Sequence, residues 1–151
     1  MKKIILFIAC VVLSIPSFAQ LNVQSQSESF NRIGTLRSTY AYLYNQGTTY
    51  YLGIRTNNQF DKGAFFALGE TAESSILTAQ DLIEAANTMD ENASLKVMDA
   101  DGTEAVIVKK TMLGKPYLII KMAREAGESN ITPPELEKAI KMIKNHSKIE
   151  D

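Results

Sequence analysis

The sequence predicts an α+β protein, with antiparallel sheet and two packing helices in the order ββββ-α-βββ-α. Three observations predict it. Runs rich in aromatic and β-branched residues are bounded by Asn-, Asp- and Gly-containing turns. Two segments, near 78–89 and 132–143, instead place apolar residues at helical spacing behind a Thr. The chain has 151 residues, 45% hydrophobic and 22% charged, which suits a globular domain and excludes a collagen-like, wholly disordered or multi-spanning chain.

Residues 1–19 read as a secretory signal. Lys2 and Lys3 precede an apolar run from Ile4 to Leu13, too short to span a bilayer, and Ser17-Phe18-Ala19 supplies the small residues a signal peptidase reads. Cleavage is expected before Gln20, with a periplasmic or secreted product. Lipoprotein anchoring at Cys10 is the alternative, but Phe7-Ile8-Ala9 matches the usual Leu-x-Ala/Gly poorly. Losing residues 1–19 removes two lysines and no acid, so the net charge moves from −1 to −3. It also removes the single Cys. The remaining chain has no thiol for a disulfide, for catalysis or for a metal. Its mild acidity gives no electrostatic case for nucleic acid, and no later segment reads as transmembrane.

Residues 20–29 are polar and aperiodic and read as a flexible leader; 30–151 then reads as a single α+β domain. Ile33–Thr39 is a first strand, with Gly34 as a bend. Tyr40–Tyr44 is a second, Asn45-Gln46-Gly47 a turn and Thr48–Thr56 the return. After a polar loop over 57–63, Ala64–Leu68 is a fourth strand. Thr78 and Asp81 have capping-box spacing and open a helix to about Met89, with Leu82, Ile83, Ala86 and Met89 on one face. Leu95–Met98, Thr103–Lys110 and Tyr117–Met122 are the next strands, separated by Asp99–Gly102 and Gly114-Lys-Pro116 turns. Thr132-Pro133-Pro134-Glu135 opens the last helix, whose buried stripe is Leu136, Ala139, Ile140 and Ile143.

A shift of 54 residues lays 40–89 on 94–143 without a gap. Turns, strands and caps coincide, as for a tandem βββα repeat, although identities such as Thr78/Thr132 and Leu82/Leu136 are few. Two unrelated hairpin-plus-helix units would look the same. The overlay places Leu43, Leu52, Ile54, Phe66, Leu68, Val97, Val106, Val108, Ile120 and Met122 on the core-facing side. The strand–strand–strand–helix order resembles Whirly-type and Pur-type folds, which bind single-stranded nucleic acid. That resemblance is one of topology, and export and acidity oppose carrying the function over.

Five of the six tyrosines fall between Tyr40 and Tyr51. Tyr40, Tyr42 and Tyr44 share strand spacing, Tyr51 lies across the hairpin, and Arg37 and Arg55 flank the group. Rings beside cations suit recognition of a protein or a glycan, because tyrosine offers area, low entropy cost and a hydroxyl. The same stripe would also suit burial within the fold or in a homodimer. Other chemistry is thinly represented. Asp99-x-Asp101-Gly102 fails as a calcium loop, since counting back from the glycine puts Val97 at the first ligand position. His146 is the only histidine, so no multi-histidine metal site exists, and its place near the end of the last helix suits solvent and dipole. Asn92, Asn130 and Asn145 begin Asn-x-Ser/Thr triplets that read as turns and caps. No cofactor-binding glycine pattern is present. The expectation is an exported, non-enzymatic binding module with no cofactor. The alternative is a small hydrolase or lyase whose carboxylate and Tyr groups only the fold assembles.

Overall fold

The computed structural model describes residues 29–37, 41–54, 64–123 and 128–148. The expected signal, most of the leader, Cys10, Tyr40, Arg55 and the loop over 57–63 lie outside the described residues. Strands β1 (Asn31–Arg37), β2 (Ala41–Gln46), β3 (Thr49–Ile54) and β4 (Ala64–Gly69) form an antiparallel sheet in chain order, followed by helix α1 (Ala72–Thr88). Strands β5 (Ser94–Met98), β6 (Glu104–Met112), β7 (Lys115–Met122) and β8 (Glu128–Ile131) form a second such sheet, followed by α2 (Pro133–Ser147). The class is α+β, as the sequence predicts, and the order is ββββ-α-ββββ-α. The added strand, β8, is four residues long with one buried apolar side chain, Ile131, too little for alternation to reveal.

Helix α1 begins two turns earlier than expected. Thr71 is its cap: the Thr71 hydroxyl accepts from the Ser74 N–H at 3.2 Å, and the Ser74 hydroxyl accepts from the Thr71 N–H at 3.1 Å. Ser74 does the reaching back usually assigned to Glu, and Thr78 and Asp81 lie within the helix. Gly69 permits the tight entry from β4, since a Cβ there would come within 2.5 Å of the Ser75 amide nitrogen. Helix α2 starts at Thr132 with Pro133 and Pro134, as the sequence predicts.

The helices pack on each other and on the inner faces of the sheets: α1 reaches β3, β4, β6 and β7, and α2 reaches β1. Leu43, Leu52, Phe66, Leu68, Ile120 and Met122 are in the core as expected. Strand β6 is turned over relative to expectation. Ala105 and Ile107 are buried, while Val106 and Val108 are only half-buried. The cause is the hairpin before it. Gly47–Thr48 is a two-residue turn, whereas 99–103 is a five-residue loop, so Ile107 faces Ile120 as Leu52 faces Phe66. A gapless 54-residue repeat is therefore not borne out.

The 99–103 loop also joins the sheets. Its Asp99 carboxylate is buried and accepts from the Asp101 and Thr103 N–H groups at 3.1 and 2.7 Å, which makes it a turn brace. Its other oxygen accepts from the Ala67 N–H of β4 at 3.1 Å, and the Ala100 N–H donates back to the Ala67 carbonyl at 3.1 Å.

Candidate functional site

The outer face of the first sheet, away from the helices, carries the aromatic group. Alternation along β2 sends Ala41, Leu43 and Asn45 inward and Tyr42 and Tyr44 outward. Tyr44 pairs with Tyr51 across β2–β3. Gly53 makes room for this packing, because a Cβ there would lie 2.8 Å from Tyr44 Cε2. Phe65 of β4 meets Tyr44 edge-on at 5.2 Å and Tyr51 at 6.3 Å between ring centroids. Phe30, immediately before β1, stacks on Phe65 at 4.3 Å and meets Tyr51 edge-on at 4.9 Å. The Arg32 guanidinium sits 3.9 Å above the Tyr42 ring.

This arrangement gathers part of the sequence-predicted set. Tyr42, Tyr44 and Tyr51 share the face; Tyr40 and Arg55 lie outside the described residues. Arg37 does not join the rings. It forms a fork to Glu135 at the start of α2, through Nε to Oε1 and Nη2 to Oε2, the latter at 2.9 Å. Irregular pairing between Thr35 and Arg37 breaks the simple alternation that would send Arg37 to the outer face. The cation at the rings is Arg32. Strand parity puts Phe65 on the same face as Tyr42, Tyr44 and Tyr51, as the ring contacts show, although the sequence does not single it out as a site residue. Phe30 and Arg32 are further members that the sequence does not point to, since Phe30 precedes the strand and carries no parity.

Tyr51 is only 5% exposed, whereas Phe30 is 40% exposed and Tyr42, Tyr44 and Phe65 are half-buried. Tyr51 is thus the floor of the patch, and the other rings are its surface. The Tyr51 hydroxyl donates to Asp101 Oδ1 over a long 3.4 Å. Burial pushes the Tyr51 phenol above its ordinary range, and the Asp101 carboxylate pushes the same way.

His146 is half-buried, not solvated: its Nδ1 lies 3.0 Å from the Tyr50 hydroxyl, and the two rings meet edge-on. A groove of about 480 Å³ runs between β4, the start of α1 and the 99–103 loop, with Glu70, Thr71, Ser74 and Asp99 among its lining. The Asp99 oxygens there are engaged by backbone N–H groups. Among the described residues, no three His, Cys, Asp or Glu side chains cluster to hold a metal ion. Comparison with protein-family models, with curated proteins and with solved structures finds no match.

Proposed function

We propose that this chain is an exported, non-enzymatic binding module, periplasmic or secreted, and that the aromatic face of the first sheet is its working surface. The observation that carries the reading is the placement of Phe30, Tyr42, Tyr44 and Phe65 around a buried Tyr51, on the sheet face the helices leave uncovered. Rings packed edge-to-face form a stiff, broad surface that loses little entropy on contact. Arg32 and the tyrosine hydroxyls supply directional contacts at its edge. A flat protein surface is the favoured partner over a glycan.

A crosslinked pull-down from cell envelope and medium tests this reading. The baits are residues 20–151 and the same chain carrying Tyr42→Ala and Tyr44→Ala, first shown by circular dichroism to remain folded. A partner captured by the parent and lost by the variant supports the module and its face. Capture by both moves the site elsewhere, and capture by neither overturns a stable protein partner. N-terminal sequencing of the exported chain is expected to begin at Gln20.

A further inference from the structure

The turn between β6 and β7 is Leu113–Gly114, and both residues have positive φ, 52° and 74°. That is the two-residue hairpin geometry for which Asn-Gly or Asp-Gly is preferred, because a branched apolar side chain fits the left-handed region poorly. Leu113 is also 95% exposed, and its neighbour Met112 is 66% exposed. Two ordinary preferences, of backbone conformation and of solvation, are violated at one residue. A residue that departs from both preferences at an exposed tip is a candidate functional position.

The surroundings indicate what such a tip meets. Lys115 is the cross-strand partner of Met112, and Lys110, whose ammonium donates to Asn92 Oδ1, is the partner of the half-buried Tyr117. Two acids lie nearby: Glu91 stays ionised beside Lys109 and Lys110, and Glu135 is ion-paired. Glu91 accepts from the Thr111 N–H and hydroxyl, and Glu135 holds Arg37. An exposed apolar tip with cations and a tyrosine behind it has the layering of a membrane interface, apolar outermost and charge at headgroup depth. No described helix is long and apolar enough to cross a membrane.

We propose that the β6–β7 hairpin docks on an anionic lipid surface, with Met112 and Leu113 entering the headgroup boundary while Lys110 and Lys115 meet lipid phosphates. Two side chains and two cations give weak, salt-sensitive binding, suited to holding the protein near a bilayer and not to anchoring it. These residues are separate from the aromatic face, so either reading stands or falls without the other.

The test uses residues 20–151, which hold every strand and helix described. The chain is sedimented with vesicles of mixed phosphatidylglycerol and phosphatidylcholine, and with vesicles of phosphatidylcholine alone. Expected is binding to the anionic vesicles only, lost in about 1 M salt, where the Debye length is about 3 Å. Leu113→Asn builds the favoured Asn-Gly turn, so it should hold or raise Tm while lowering vesicle partition by about tenfold or more. Lys115→Glu should lower partition without changing the turn. The chain has no Trp, so Leu113→Trp gives a single reporter whose emission should shift to the blue on anionic vesicles. Equal partition of parent and Leu113→Asn overturns the proposal, as does an unshifted Leu113→Trp spectrum. Absence of vesicle binding with self-association that Leu113→Asn abolishes also overturns it, in favour of a second copy at the tip. Should Leu113→Asn fold poorly, the Lys115→Glu and Leu113→Trp results decide.

Discussion

Inside, the two sheets are alike: Leu43, Leu52 and Phe66 in one and Ile107, Leu118 and Ile120 in the other face the helices. Outside, they diverge. The first sheet presents Tyr42, Tyr44 and Phe65 capped by Phe30. The second presents half-buried Val106, Val108 and Ile119, with ion pairs Lys96–Glu104 at 3.7 Å and Lys121–Glu128 at 3.1 Å. The second sheet shows that β-branched residues and charge pairs satisfy an outer face of this architecture. An outer face of this architecture thus does not require a cluster of rings, which supports placing the proposed working surface on the first sheet.

The largest expected effect comes from cutting the link between the sheets. Asp99→Ala removes the acceptor of three backbone N–H groups and should cost about 3 kcal/mol in urea unfolding, since the Ala67 N–H loses its partner. Hydrogen exchange sharpens this: the Ala67 amide should lose protection. Glu135→Gln comes next, at about 2 kcal/mol, because a neutral amide cannot hold the Arg37 fork. The variant should still bind any partner captured through the rings, which would separate Arg37 from the aromatic face.

Phe30→Ala should cost about 1–2 kcal/mol by opening the patch above Tyr51. It should also bring the Tyr51 phenol down toward its usual range, read by ultraviolet titration of tyrosinate. The sign of the pH dependence follows from the raised value in the intact protein. The folded chain holds the phenolic proton more tightly than the unfolded one. The Tyr51 contribution is thus complete below about pH 10 and is lost as pH rises through the raised value. The smallest effect belongs to the second sheet. Lys96→Ala should change stability by less than about 0.5 kcal/mol, because both partners are well exposed and the pair is screened.

Legibility in the sequence followed the strength of local signals. The last helix was readable to its first residue because Thr132, two prolines and Glu135 coincide. The first was readable only from its middle, since Glu73-Ser74-Ser75 has no apolar periodicity and Ser75 is buried for its bonds to the Gly69 and Thr71 carbonyls. The overlay carries the facing of β3 onto β6, whereas parity depends on a loop length that differs between the two hairpins. For the site, strand spacing correctly grouped Tyr42, Tyr44 and Tyr51. It could not show that Arg37 departs from alternation or that Phe30 folds back over the sheet. Those depend on irregular pairing and on a ring contact 35 positions along the chain, between Phe30 and Phe65.

The Arg37–Glu135 clasp has a consequence for how the chain is made. Its partners are 98 positions apart, tying the first strand to the last helix. As the chain emerges from its N-terminal side, β1 to β4 can pair before the later elements appear, because each hairpin closes locally. The inner face of β1 waits for α2, which arrives last. Until then Leu36 and its neighbours have no cover, and the guanidinium has no carboxylate. A nascent chain stopped before Glu135 should thus expose apolar surface to any holding chaperone. Formation of α2 is then the step that covers the inner face of β1 and supplies the partner of Arg37.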